Sequence, residues 1–161
     1  MIRITERIAS ILGLALLFAF VASAQETKFE AKLSGKESVP AVDTPAHGEA
    51  TLQLSKDGAR LSYTLSVTDI ENVSMAHIHQ GPAGQEGPVV VWLYPSKPPA
   101  LVKKGKFSGV LARGTITAAN LTGPLKGKTL TDLVEEIKAG TAYINVHTVA
   151  HPAGEIRGQI E

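Results

Sequence analysis

Residues 142–160, AYINVHTVAHPAGEIRGQI, constrain the fold more than any other part of the chain. Two runs alternate apolar and polar residues, and Pro152 and Gly154 lie between them. A period of two sends successive side chains to opposite faces of a strand, so the stretch predicts a β-hairpin with one face on a core. Ala142, Ile144 and Val146 share one face, against Tyr143, Asn145 and His147 on the other. In the second run Ile156 and Ile160 oppose Glu155, Arg157 and Gln159. With 149–153 as the loop, Thr148 meets Gly154, His147 faces Glu155, Asn145 faces Arg157 and Tyr143 faces Gln159. All these polar side chains land together, and any function is expected on that face.

The rest of the chain reads as further strands. Residues 29–35 alternate Phe29, Ala31 and Leu33 with charged neighbours, and residues 39–45 form a Pro-bearing loop. Residues 48–55 and 61–67 alternate on either side of Asp57-Gly58, a hairpin turn signal. Residues 73–80 predict another strand. Residues 81–88, with three glycines and two prolines, predict a loop, and 89–94 an apolar strand covered on both sides. Pro95, Pro98 and Pro99 interrupt regular structure, and residues 107–117 resume it, with a kink expected at Gly109 or Gly114. Leu130, Leu133, Val134 and Ile137 recur at helical spacing, with Thr129 and Asp132 suited to a capping box and Gly140 to the stop. A short helix is expected over 131–139, packed across an open end of the sheets. About eight strands with Gly- and Pro-rich turns make an all-β antiparallel β-sandwich with one short helix.

Residues 1–24 predict a signal peptide. Arg3 and Arg7 precede an uncharged, apolar run over 8–21, and Ala22-Ser23-Ala24 offers a cleavage site. The expected destination is extracytoplasmic, secreted or periplasmic, with 25–161 as the mature domain and no membrane association after cleavage. The whole chain holds 16 Lys and Arg against 15 Asp and Glu, and losing Arg3, Arg7 and Glu6 balances the two. Nucleic acid and anionic membranes call for concentrated positive charge, so both are excluded as main partners. The cluster Lys103, Lys104, Lys106 reads as a solvated turn. Without any cysteine, thiolate metal sites, Fe–S clusters and cysteine nucleophiles are excluded too.

His77-Ile78-His79 is the second informative stretch. Positions i and i+2 of a strand share a face, so both imidazoles project together. Should that strand neighbour the C-terminal hairpin, His77, His79 and His147 could converge with Glu155 as a fourth ligand. Three nitrogens and one oxygen suit copper or zinc. His151 in the hairpin loop is an additional candidate ligand, whereas His47 reads as a loop residue. The competing reading needs no ion: His147 donates to Glu155, Asn145 and Arg157 tie adjacent strands, and Glu155 pairs with Arg157. No G-x-S-x-G, GxGxxG or HExxH pattern occurs, so the chain is not read as an enzyme. Asn72 and Asn120 begin glycosylation-type triplets, informative only in a eukaryotic source.

LSGKESVPAV, AHIHQGPAGQEGPVVVWL and YINVHTVAHPAGEIRGQI, in this order, resemble the CHRD domain, the module repeated in the extracellular protein chordin and found singly in secreted bacterial proteins. The resemblance spans residues 28–161. It implies a β-sandwich of immunoglobulin-like or superoxide-dismutase-like character and little about activity. The His77-Ile78-His79 pair is similar to the copper-binding strand of copper–zinc superoxide dismutase, but that enzyme's disulfide cysteines and His-rich zinc loop have no counterpart here. Two main readings remain: a non-catalytic binding or structural module with a polar face of His77, His79, Asn145, His147, Glu155 and Arg157, or an extracytoplasmic copper- or zinc-binding protein. A third is an adhesion module that meets a protein partner through a sheet edge or loop 94–100.

Overall fold

The computed structural model describes residues 27–161, so the signal peptide expected over 1–24 lies outside the described residues. The elements run β1 (Thr27–Ser34), β2 (His47–Leu54), β3 (Leu61–Gln80), β4 (Val89–Tyr94), β5 (Lys103–Ile116), α1 (Leu130–Lys138), β6 (Ala142–Thr148) and β7 (Ile156–Gln159), with short 3-10 turns between some of them. All seven strands belong to one antiparallel sheet, ordered β2-β1-β7-β6-β3-β4, with β5 on β3. Because β2 also pairs with β3, five strands close into a barrel and β4 and β5 remain as additions. Over the described residues the fold is all-β with one short helix. The two layers of a sandwich are here opposite walls of a sheet that closes on itself.

β3 makes that closure possible. Its alternation predicts two strands, 61–67 and 73–80, yet the chain runs through as one strand of 20 residues. Asp69 and Asn72 take left-handed backbone conformations, each with φ 51°. These two residue types tolerate that region better than most. The amide of Asp69 donates to Ser108 Oγ at 3.0 Å, and Asn72 Oδ1 accepts from the Gly105 amide at 2.8 Å. The break in alternation is thus absorbed as a bulge and not spent on a turn. The first half of β3 pairs with β2 and β5, and the second half with β6 and β4.

β5 starts at Lys103, four residues before the expected 107, so the lysine cluster belongs to a strand and not to a turn. Lys103 Nζ lies 4.2 Å from the Phe107 ring centroid. Gly109, with φ 136°, adopts a conformation barred to other residues at the expected kink. In α1 the Thr129–Asp132 capping box forms, and Leu130, Leu133, Val134 and Ile137 are buried in the core.

The sequence hairpin forms in the predicted register, Tyr143 opposite Gln159 and Asn145 opposite Arg157. One expectation changes: all seven residues of β6 are buried, polar ones included. β6 lies between β3 and β7, with Ile144 and Val146 in the core. Its other face is covered by hydrogen-bonded loops, 81–88 and 149–155.

Candidate metal centre

The register of β3 against β6 places His77 opposite Asn145, His79 opposite Tyr143 and Met75 opposite His147. Directly paired residues of an antiparallel sheet share a face, so His77, His79 and His147 stand together outside the barrel core. Their ring centroids lie 5.1 Å apart for His77–His147, 5.6 Å for His77–His79 and 5.9 Å for His79–His147. One ring nitrogen from each falls within 4.8 Å of the others, and all three residues are buried.

The hydrogen bonds fix which nitrogens carry protons. His79 Nδ1 is 2.8 Å from the Gly87 carbonyl, and His147 Nδ1 is 3.0 Å from the Pro152 carbonyl. A carbonyl only accepts, so both Nδ1 atoms are N–H donors and, in neutral rings, both Nε2 atoms are bare acceptors. His147 Nε2 then accepts from His77 Nδ1 at 3.2 Å, which leaves His77 Nε2 bare as well. Among the described residues neither His77 Nε2 nor His79 Nε2 has a hydrogen-bond partner, although both are buried. Each such orphan costs roughly 1–3 kcal/mol, so the arrangement suits a cation better than it suits nothing. Anchoring one ring nitrogen on a carbonyl while the other faces inward is also how ligating histidines are generally oriented.

Burial keeps the three rings neutral. Desolvation, helped by the neighbouring His147 and His79, pushes the pKa of His77 down to about 3. His79 falls to about 4, again mainly through desolvation, opposed by its bond to Gly87 and assisted by His147 and Arg157. Desolvation lowers His147 too, against the bond to Pro152 and the charge of Glu86. Neutral imidazole is the form that ligates a metal.

Glu155 does not join the cluster, contrary to the parity argument. Gly154 takes φ 128°, Glu155 is a bend residue outside β7, and alternation no longer governs its direction. Its carboxylate accepts from Thr44 Oγ1 and Thr148 Oγ1, both at 2.7 Å, and not from His147 or Arg157. His151 lines a cavity with Thr44, Asp69, Glu71 and Glu155, on the Glu155 side, and is not among the three convergent histidines. His47 opens β2 and is exposed.

The other polar-face residues bind loops where a ladder between strands was expected. Arg157 donates to the carbonyls of Gln85 and Pro82, both at 2.8 Å, and to Gln159 Oε1 at 3.2 Å. Its guanidinium carbon lies 3.6 Å from the centroid of the Tyr143 ring, which in turn stacks on His79 with centroids 5.0 Å apart. Gln159 Nε2 donates to the Gly81 carbonyl at 3.1 Å, and the Tyr143 hydroxyl accepts from the Gly87 amide at 3.0 Å. Together they hold loop 81–88 against the face, and that loop supplies the carbonyl that orients His79. Asn145 Nδ2 likewise donates to the Ala153 carbonyl at 3.0 Å, in the loop that orients His147. Its Oδ1 is buried without a partner among the described residues.

Sequence reasoning missed Trp92, which pairs with His77 across the β3–β4 ladder at a centroid distance of 4.3 Å. It also missed the two orienting carbonyls, since every residue has one and no side-chain signal marks Gly87 or Pro152. Gly87 carried a detectable hint: a Cβ there would come within 1.7 Å of the Gln80 carbonyl oxygen, so only glycine fits. Asn72 Oδ1 accepts from the Gly105 amide of β5 and Asn120 Oδ1 from the Thr117 amide, both at 2.8 Å.

The fold and the cluster define a class: an all-β barrel module whose sheet presents a buried three-histidine group able to coordinate a metal ion. The particular family follows from a match of the CHRD domain to residues 29–160, and the chain belongs to that family. CHRD domains are non-catalytic modules. Searches of curated proteins and of solved structures each gave no match. Among the described residues, no helix is long and apolar enough to cross a membrane.

Proposed function

We propose that this chain is an exported, non-catalytic metal-binding domain that takes one copper or zinc ion on His77, His79 and His147. The observation that carries the reading is the convergence of three buried ring nitrogens within 4.8 Å of one another. The ligand atoms are Nε2 of His79, Nε2 of His147 and one ring nitrogen of His77. The 3.2 Å between His77 Nδ1 and His147 Nε2 is near the edge of a tetrahedron with metal–nitrogen bonds of about 2 Å, roughly 3.3 Å. A cation there replaces the proton the two rings share. Loops 81–88 and 149–155 keep the rings aimed and limit water, while the signal-peptide pattern of residues 1–24 supports a role outside the cytoplasm.

The test is metal analysis of untagged protein together with titration of the metal-free chain. Trp92 is the only tryptophan and lies against His77, so its fluorescence reports occupancy. A stoichiometric ion, lost in both His77→Ala and His147→Ala while the fold persists, is the expected result. A chain silent to copper and zinc would sink the reading. Export is tested separately: the N-terminal sequence of the protein recovered outside the cytoplasm should begin at Gln25, and retention of residues 1–24 would refute the leader.

A further inference from the structure

Met75 is the only methionine of the described residues, and its place in the sheet is informative. It pairs with His147 across the β3–β6 ladder, in register with His77–Asn145 and His79–Tyr143. On its own strand it precedes His77 by two residues, so it shares the face of the histidine cluster. Ala76 and Ile78, of opposite parity, are wholly buried in the core, whereas Met75, on the histidine face, is half-buried. Directly paired residues have Cβ atoms about 4.5–5.5 Å apart, and methionine is an unbranched side chain with three rotatable bonds. The thioether can therefore reach an ion held by His147 without moving the backbone.

The charges around the cluster narrow the choice of ion. Glu155 bonds elsewhere, so the donor set contains no carboxylate. Arg157 is buried over the Tyr143 ring that stacks on His79, and carbonyl oxygens, not an acid, accept its hydrogen bonds. Among the described residues, the anionic group that acts on His147 is Glu86, which is exposed on the covering loop. A divalent ion would add two charges beside a buried guanidinium with no anion among its ligands, and a monovalent ion adds one. Soft thioether with imidazole is the donor combination that selects copper(I).

We infer that Met75 is a fourth ligand of the site and makes it a copper(I) centre in preference to zinc. The inference rests on the three-histidine reading above and specifies its metal. The decisive variant is Met75→Leu, which conserves volume and removes the sulfur. Copper(I) affinity is measured anaerobically by competition with a chromophoric copper(I) chelator, zinc affinity by competition with a zinc chelator, and folding by thermal melting of the metal-free chain. Copper(I) binding should weaken by at least about tenfold, since even outer-shell partners contribute that much. Zinc affinity and the metal-free melt should stay as in the parent. In selenomethionine-labelled protein, the copper X-ray absorption spectrum should show a selenium neighbour that Met75→Leu abolishes. Unchanged copper(I) affinity, or no selenium neighbour, would overturn the thioether ligand while the histidine site stood. Failure of the parent chain to take any ion would overturn both.

Discussion

The two halves of β3 are one strand put to two uses. Over 61–67 it alternates in the ordinary way: Leu61, Tyr63, Leu65 and Val67 are buried, and the residues between them face outward. Over 76–79 every residue is buried, Ala76 and Ile78 by the core, His77 and His79 by loops and rings on the other side. The first half needs only hydrophobic burial to stay in place. The second keeps two imidazoles out of water, and each has one nitrogen bonded and one bare. Apolar burial makes the barrel stable, while the polar half gives up some stability for a site that can bind.

This contrast predicts a division between stability and binding. Ile78→Ala, on the core side, should destabilise the protein by about 2–5 kcal/mol through a cavity in a packed interior. The folded fraction should still bind metal at full stoichiometry. Chemical denaturation followed by metal analysis checks both parts, and an ion lost from folded Ile78→Ala would blur the division.

Acid should act through the polar half. In the unfolded chain the three histidines bind protons near their ordinary value of about 6.5, whereas folded His77 and His79 do so only near 3 and 4. The unfolded state therefore binds more protons below pH 6.5. Stability of the metal-free protein is complete above that pH and falls as pH drops toward 4. Denaturation midpoints between pH 7 and 5, before most carboxylates titrate, should decline. His77→Leu should shallow the slope, and an equal slope in parent and variant would remove the histidines from the explanation.

Arg157→Ala removes three hydrogen bonds and the stack on Tyr143, and it loosens loop 81–88. A loss of about 2–3 kcal/mol is expected from charge-assisted bonds of that kind, with metal affinity weakened about tenfold through the Gly87 carbonyl that orients His79. Isothermal titration beside a melt separates the two effects, and unchanged affinity would make the loop a mere cover. His77→Leu reverses the pattern of Ile78→Ala. It exposes the acceptor of His147 but deletes a bare one of its own, so stability at pH 7 should stay within about 1 kcal/mol while the ion is lost. The smallest effect lies off β3 altogether: Lys103→Ala, at the start of β5, loses the contact over Phe107, about 0.5–1 kcal/mol, with no change in binding.

Much of this was legible beforehand because period-two alternation is a local property. Tyr143, Asn145 and His147 share a face whatever surrounds them, and the hairpin register followed from loop length. The same argument failed at Glu155, one residue past the ladder, where Gly154 turns the chain and the carboxylate meets Thr44, 111 residues away. It failed again at 68–72, where a lapse in alternation looked like the end of a strand. No local signal distinguishes a bulge from a turn when the deciding partner, β5, lies some 40 residues on.

The sequence by itself determined an all-β chain, its C-terminal hairpin, a capped helix and two histidines held side by side. These rest on backbone geometry and hydrophobic period, which act between near neighbours. Tertiary structure alone decided that β3 and β6 are adjacent, that the sheet closes into a barrel and that the polar face is buried. It also decided which carbonyls orient the imidazoles. Cross-strand pairing joins residues about 70 positions apart, and its choice depends on how the whole apolar surface is best enclosed.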